Sequence, residues 1–172
     1  IKDDSYVHRT VFSGWDVYRS EFPLLSIIRP DIVNDEVNSL LKIAEVNNSS
    51  FPRWELLGIN AGCMVGDPGI PVVADAIVKD IEGFDREAAF AAIKQTAAVE
   101  ERGKEFRHKY GYIPCDIFGE AVAFDMEYAI ADAAAANAAK ALGKQADYEH
   151  FTKASHSYRT FFDKETGFIR GV

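Results

Sequence analysis

Cysteine, positive charge and long apolar runs are all scarce in this sequence. Two cysteines, Cys63 and Cys115, occur without a CxxC pair or a Cys/His cluster, which argues against a structural zinc site. No uninterrupted apolar run reaches the ~18 residues that a membrane-spanning helix needs. Lys and Arg number 19 against 27 Asp and Glu, and the net charge of −8 argues against nucleic acid or an anionic membrane as a partner.

What the chain does have is the ordinary composition of a globular domain. Hydrophobic residues make up 48% and charged residues 27% of its 172 residues, which excludes a disordered or low-complexity chain. At 19.1 kDa, folding buries roughly 70% of the extended chain's surface, enough for one core. We therefore treat residues 1–172 as one domain, with a mature, truncated or internal start that lacks Met and a signal peptide.

Apolar residues recur with a helical period along most of the chain. In the first segment they fall at steps of three and four from Trp15 to Ile28, and Pro23 is predicted to kink or break this helix. The Arg29-Pro30-Asp31 motif is expected to end it and begin the next helix, which the polar run at residues 47–50 ends. Further helices are predicted from Pro71 to about Asp80, Asp85 to Ala98, Gly119 to Leu142 and about Gln145 to Phe162, with a short strand at residues 168–170.

These patterns predict an all-α protein. About six helices follow one another, and two irregular stretches, residues 51–71 and 110–114, interrupt them. The alanine run at residues 133–139 indicates close approach between neighbouring helices, because small side chains let backbones pack tightly. No fixed-period repeat is present, so helical hairpins are expected to form either an open array or part of a closed ring.

The pair Trp15 and Asp16, at the start of the first predicted helix, is a candidate sugar-binding corner. A carboxylate can accept hydrogen bonds from hydroxyl groups while an indole offers an apolar face, a combination suited to a sugar ring. The alternative is that Trp15 belongs to the core and that Asp16 only complements the helix dipole. The spacing alone leaves both interpretations open.

A second candidate is the glycine-rich segment that contains Arg53, Trp54 and Cys63. Its glycine density is typical of a binding loop, although no Gly-Lys-Ser/Thr sequence follows to make it a phosphate site. Cys63 could act as a nucleophile only beside a basic partner, and a packed thiol is the simpler interpretation.

The long predicted helix carries four carboxylates. Paired carboxyl groups can hydrolyse glycosides, yet charged residues on a helix more often form a solvated face. The four histidines have no HExxH or other metal-binding spacing, so they are expected to be ordinary surface or partly buried residues. The carboxylates are Glu120, Asp125, Glu127 and Asp132, and the histidines are His8, His108, His150 and His156.

Ordered motifs along nearly the whole chain support a more specific interpretation. They are TVFSGWDVYR at residues 10–19, PRWE at 52–55, GCMVG at 62–66, PVVADA at 71–76, YGYIP at 110–114 and ETGFIRG at 165–171. With these motifs the sequence resembles the glycoside hydrolase family 92 α-mannosidases. It departs from them at residues 59–61, INA in place of the more usual NET, and at residues 123–126 and 130–131 of the long helix.

The resemblance implies a calcium-dependent enzyme that removes terminal α-linked mannose from glycans with inversion, with α-1,2 as the expected linkage. It also implies a β-sandwich domain followed by an (α/α)6 barrel, about half of which residues 1–172 would form. Inversion needs a general acid at the leaving oxygen and a general base that activates water on the opposite face. Calcium, which prefers oxygen ligands, would help to bind and distort the mannose ring.

The motifs that carry catalysis in this family are absent from the sequence. The acid lies in a Glu-Gly-Asn motif, and the base and metal ligands lie in Asn-Asp-Asp and Asn-Glu-Pro segments, none of which occurs here. The resemblance therefore implies that the acid, the base and most calcium ligands lie beyond Val172. The chain is expected to be a fragment that is inactive alone, with no catalytic residue and no metal ligand of its own.

What the resemblance leaves to this chain is substrate binding. It assigns Trp15 and Asp16 to the mannose being cleaved, and Arg53, Trp54 and Cys63 to the lining of the same pocket. Mannose-containing glycans and the remainder of the enzyme are the expected partners, in a periplasmic or secreted setting. Half a ring would expose apolar faces, so self-association is also expected. A noncatalytic helical interaction scaffold is the alternative function.

Overall fold

The computed structural model describes residues 5–10, 13–56 and 59–172. The N-terminal residues 1–4, the motif residues Val11 and Phe12, and the loop residues Leu57 and Gly58 lie outside the described residues. Two short strands, β1 (Glu55–Leu56) and β2 (Ile59–Asn60), pair antiparallel. The helices are α1 (Gly14–Val17), α2 (Glu21–Ile28), α3 (Pro30–Val46), α4 (Gly69–Val78), α5 (Arg86–Ala98), α6 (Lys104–Tyr110), α7 (Ala121–Ala141) and α8 (Gln145–Ala154), followed by a 3₁₀ helix (Ser157–Phe161).

Consecutive helices pack as hairpins. Helix α2 packs against α3, α4 against α5, and α7 against α8, while α4 and α7 also pack against each other. This arrangement confirms the all-α class and agrees with part of an (α/α)6 barrel. Within the described ranges, none of the helices combines the length and the hydrophobicity required to cross a membrane.

The first helical segment differs from its prediction. Helix α1 ends at Val17 and α2 begins at Glu21, so the break lies at residues 18–20 rather than at Pro23. Pro23 is the third residue of α2, within the first turn, where a backbone N–H has no intrahelical partner. The proline therefore removes no hydrogen bond from α2, and the predicted break at Pro23 is wrong.

Capping signals predicted the middle helices correctly. Pro30 occupies the first position of α3, which ends at Val46 just before the polar run. Asp85 caps α5, since its Oδ1 atom accepts hydrogen bonds from the backbone N atoms of Glu87 (2.9 Å) and Ala88 (3.0 Å). Both helix starts depend on residues within one turn of the helix end, so the sequence was sufficient to predict them.

The C-terminal third departs from prediction in three places. Helix α6 occupies a stretch in which no helix is predicted, and left-handed Gly103 and Gly111 bound it. The predicted last helix stops at Ala154, and the chain continues as the 3₁₀ helix to Phe161. The strand predicted at residues 168–170 is reduced to a single antiparallel bridge between Phe162 and Ile169.

Small side chains form the contact between α4 and α7. Ala135, Ala138 and Ala139 of α7 are completely buried, and so are Val73 and Ala76 of α4. Because no larger side chain separates the two helices at these positions, their backbones can approach closely. The close packing predicted from the alanine run is confirmed.

Candidate functional site

Two of the segments predicted to bind substrate meet where α1 begins. The backbone N of Gly14 donates a hydrogen bond to the carbonyl oxygen of Arg53 (3.1 Å), and Ser13 forms an isolated antiparallel bridge with Trp54. A Cβ atom on Gly14 would lie 2.7 Å from Cγ of Pro68 and 2.8 Å from that carbonyl oxygen. The glycine therefore lets α1 lie directly against the Arg53-Trp54 segment.

The Trp15 and Asp16 side chains lie at the surface of this junction. Trp15 is half-buried, and its Nε1 atom is buried with no hydrogen-bond partner among the described residues. Asp16, in the single turn of α1, is exposed, and no described residue hydrogen-bonds to its carboxylate. Consecutive positions of α1 thus carry a partly exposed indole and a carboxylate that can accept hydrogen bonds from a ligand.

Glu127 connects α1 to the long helix α7. Its Oε2 atom accepts a hydrogen bond from Tyr18 Oη (2.8 Å), and its Oε1 atom accepts one from Arg19 Nη2 (2.5 Å). The guanidinium carbon of Arg19 lies 5.1 Å from the ring centroid of Trp15. Burial, together with the hydrogen bond to Glu127, raises the pKa of Tyr18 above its usual range, so Tyr18 stays a hydrogen-bond donor.

Two carbonyl groups of the Cys63 loop, residues 62–66, accept hydrogen bonds from one arginine side chain. The Nη1 and Nη2 atoms of Arg102 donate to the carbonyl oxygens of Gly62 (2.5 Å) and Met64 (2.6 Å). Met64 has a φ of +67°, a left-handed conformation that non-glycine residues seldom adopt. Cys63 lies between the two carbonyl groups with an exposed side chain, so the packed-thiol interpretation is wrong.

Arg53 and Trp54 both form hydrogen bonds with other residues of the chain. The Arg53 side chain is 6% exposed, and both terminal nitrogens donate to Oε1 of Glu101 at 2.9 Å. Trp54 is half-buried, and its carbonyl oxygen accepts a hydrogen bond from the backbone N of Ala61 (2.8 Å). Substrate contact by Arg53, Trp54 or Cys63 therefore stays a prediction.

Three of the four carboxylates predicted to form a solvated face are largely buried on α7, whereas Glu120, which directly precedes α7, is exposed. Asp125 and Asp132 are 0% and 5% exposed, and both pair with Arg107, at 3.2 Å and 2.7 Å respectively. Burial raises the pKa of Asp132, although Arg107 opposes the shift. Their spacing of seven residues, in line with Tyr128 and Ala135, puts them on the buried face of α7, a signal that sequence reasoning missed.

The contacts of Glu127, whose side chain is 14% exposed, were missed for a different reason. Its partners Tyr18 and Arg19 lie 109 and 108 residues away. No periodicity or motif spacing connects positions so far apart, so only the folded chain brings them together.

No metal site is formed by the described residues, since they contain no group of three or more His, Cys, Asp or Glu side chains that could hold an ion. A cavity of about 700 Å³ lies between α5, α6, α7 and α8, with Arg107, Asp132 and Phe151 in its lining. The lining includes none of the five predicted substrate-binding residues. The candidate site is therefore the open surface around α1.

The class of the protein follows from its match to a family. The family model described as "Glycosyl hydrolase family 92 catalytic domain" matches residues 1–172, and the chain belongs to this family. Among curated proteins, none matches the chain.

Solved structures show the particular relatives. The family GH92 α-mannosidase BT3965 from Bacteroides thetaiotaomicron is 36% identical over 99% of this chain, with a TM-score of 0.94. The structure of its complex with mannoimidazole gives the same identity, coverage and TM-score. The family GH92 inverting mannosidase BT2199 from Bacteroides thetaiotaomicron VPI-5482 is 29% identical over 91% of this chain, with a TM-score of 0.86. The matched region covers 23% of the first protein and 22% of the second, so the chain spans less than a quarter of either.

Proposed function

We propose that this chain is part of an exo-acting α-mannosidase that hydrolyses terminal α-linked mannose, with α-1,2 as the expected linkage, and inverts the anomeric centre. Membership of family 92 supports the reaction class. Two similar structures are described as an α-mannosidase and an inverting mannosidase, and one of them holds mannoimidazole. The activity belongs to a longer protein, since the chain spans under a quarter of these relatives.

The role that we assign to this chain is to form one side of the mannose pocket with Trp15 and Asp16. The single observation that carries this assignment is the exposed Asp16 carboxylate, which has no hydrogen-bond partner among the described residues and directly follows the half-buried Trp15 on α1. Sugar hydroxyls donate well to carboxylates, and the C–H faces of a sugar ring pack against aromatic rings. Asp16 then holds the sugar while other groups transfer protons.

The general acid and base are expected from segments outside residues 1–172. The described residues also do not fit a calcium site, because no cluster of carboxylate or histidine ligands is present among them. We therefore derive no step through calcium from this chain. The calcium ligands, like the acid and base, belong to the rest of the enzyme in this proposal.

An exposed apolar face on α2 supports the view that further helices complete a ring. Leu24, Ile27 and Ile28 are 55%, 75% and 58% exposed, although α2 packs against α3 and α4 on its other side. Apolar surface of this kind is normally covered by a partner. In the proposal, the missing half of the barrel covers it, and self-association covers it when that half is absent.

The test is Asp16→Ala in the full-length enzyme, with α-1,2-mannobiose as substrate. Losing hydrogen bonds to a charged acceptor is expected to lower kcat/KM by roughly 10- to 100-fold. Asp31→Ala is the matched control, because Asp31 is also an exposed acidic residue in the first turn of a helix.

The kinetics of Asp16→Ala and of the wild-type enzyme distinguish the possible outcomes. Near-wild-type kinetics for Asp16→Ala would remove Asp16 from the pocket. A full-length wild type that binds proteins but releases no mannose would instead favour the noncatalytic scaffold.

A further inference from the structure

We propose that Glu127 is a positioning residue for substrate binding: it holds Arg19 away from the Asp16 carboxylate and fixes α1, so that the Trp15/Asp16 pair stays open to the sugar. The inference rests on the proposed function. It adds a residue on α7 that neither the motifs nor the site prediction assigned to binding.

The first step is the attachment of α1 to a rigid helix. Glu127 receives two hydrogen bonds from consecutive residues, Tyr18 Oη at 2.8 Å and Arg19 Nη2 at 2.5 Å. It is anchored between Phe124 and Tyr128 in sequence, which are 5% and 2% exposed in the core of α7. One carboxylate, with each oxygen occupied, therefore ties the end of a four-residue helix to the longest helix in the chain.

The second step is the transmission of this contact to Trp15. The Nε atom of Arg19 donates to the carbonyl oxygen of Trp15 (3.0 Å), and its guanidinium lies 5.1 Å from the Trp15 ring centroid. A planar guanidinium held at one end by a carboxylate and at the other by a carbonyl has little rotational freedom. Glu127 thus constrains the indole through Arg19.

The third step concerns charge. Arg19 follows Asp16 by three residues and interacts with it electrostatically, while no described residue hydrogen-bonds to the Asp16 carboxylate. If Glu127 did not hold the guanidinium, the nearest carboxylate on α1 would be Asp16. An Arg19–Asp16 pair would then compete with sugar hydroxyls for the same oxygen atoms. Glu127 prevents this competition by binding Arg19 itself.

The Cys63 loop lies against the same residue. Gly66 has a φ of +75°, and a Cβ atom there would lie 2.6 Å from Cβ of Glu127. The Cys63 loop and the residues that follow α1 therefore both contact Glu127. One residue of α7 therefore contacts two segments predicted to line the pocket, α1 through its carboxylate and the loop through its Cβ.

The test is Glu127→Gln in the full-length enzyme, assayed on α-1,2-mannobiose beside wild type. Glutamine keeps the shape but loses the charge, and its NH2 group replaces one of the two carboxylate oxygens that accept hydrogen bonds from Tyr18 and Arg19. We expect kcat/KM to fall by about 10- to 100-fold, the scale of effect that a displaced binding group produces. Glu87→Gln is the control, because it removes the same charge from an exposed ion pair with Lys144.

Two further measurements separate positioning from general stability. Hydrogen exchange of the Gly14 and Val17 amides should accelerate in Glu127→Gln while α4 and α5 keep wild-type protection. Combining Glu127→Gln with Arg19→Gln should lower kcat/KM no further than the worse single change, because both act through one contact. If the two changes instead lowered kcat/KM by the product of their separate effects, or if amides throughout α4 and α5 lost protection from exchange, the proposal would be overturned.

The proposed function and this inference fail differently. If wild type releases no mannose, the function fails, and the exchange of the α1 amides still decides whether Glu127 holds α1. If wild type is active but Glu127→Gln stays within twofold of it, Glu127 has no positioning role and the function stands.

Discussion

Lys104 and Asp67 form an ion pair that is almost completely enclosed. Lys104 Nζ lies 2.8 Å from Asp67 Oδ2, and the two side chains are 3% and 6% exposed. Lys104 also donates to the carbonyl oxygen of Thr96 (2.7 Å). Asp67 directly precedes Pro68, the residue against which Gly14 packs. The ion pair therefore helps to hold in place the segment on which the start of α1 lies.

Breaking this pair is predicted to be strongly destabilising. Lys104→Met leaves the Asp67 carboxylate buried without its cation, which typically costs roughly 3–5 kcal/mol of unfolding free energy. Lys79→Met is the control, because the Lys79–Asp75 pair is about one-third exposed and such pairs contribute at most about 1 kcal/mol. Urea unfolding of both variants checks this, and equal losses would contradict it.

Gly14→Ala is predicted to damage both stability and substrate binding. The new Cβ would collide with Pro68 and with the Arg53 carbonyl oxygen. The resulting strain costs about 1–3 kcal/mol and displaces α1. Gly119→Ala is the matched control, since a Cβ there meets no atom within 4 Å. Thermal unfolding and kcat/KM of the full-length enzyme measure both effects, and an active, fully stable Gly14→Ala protein would refute the prediction.

The parts of the fold that could be predicted depend on local chemistry. Asp85 caps α5 through atoms two and three residues away, and Pro30 begins α3 by its own fixed φ. Pro23 shows the limit of this reasoning, because whether a proline breaks a helix depends on where that helix begins. Helix α2 begins at Glu21 after Ser20, a residue type favoured at N-caps, although the Ser20 side chain makes no capping hydrogen bond.

The candidate site was predictable only in part, for a related reason. The motifs singled out Trp15 and Asp16, but they could not show which groups surround them. Glu127 reaches Arg19 across 108 residues, and Arg53 faces Glu101 across 48. Such contacts depend on how α1, α7 and the glycine-rich segment pack, which neither periodicity nor spacing specifies.

The 172-residue chain alone is predicted to release no mannose from α-1,2-mannobiose, with or without added calcium. Its sequence lacks the Glu-Gly-Asn and Asn-Asp-Asp motifs, and its described residues form no metal cluster. Mannose release is measured with the purified chain, and the full-length enzyme serves as the positive control. Turnover by the chain that survives repurification would show that residues 1–172 hold a complete catalytic centre.

Glu36 is a buried carboxylate whose titration should set the pH dependence of stability. The residue is 8% exposed, and its Oε2 atom has no hydrogen-bond partner among the described residues. Burial raises the pKa of Glu36 to about 7; Glu21 and Asp35 add to the shift, and Arg9 opposes it. In the unfolded chain, the pKa of this carboxyl returns to its ordinary value of 4.5.

Stability is therefore predicted to fall as pH rises from about 4.5 to about 7, because the unfolded chain loses the Glu36 proton first. The contribution is fully present below the lower value and lost above the higher one, with a size on the order of 3 kcal/mol. Glu36→Gln should remove this fall, so that it matches wild type near pH 4.5 and exceeds it at pH 8. Glu45→Gln, an exposed change on the same helix α3, should follow wild type at both pH values. Urea midpoints decide the matter: parallel wild-type and Glu36→Gln curves would mean that folding does not change the pKa of Glu36.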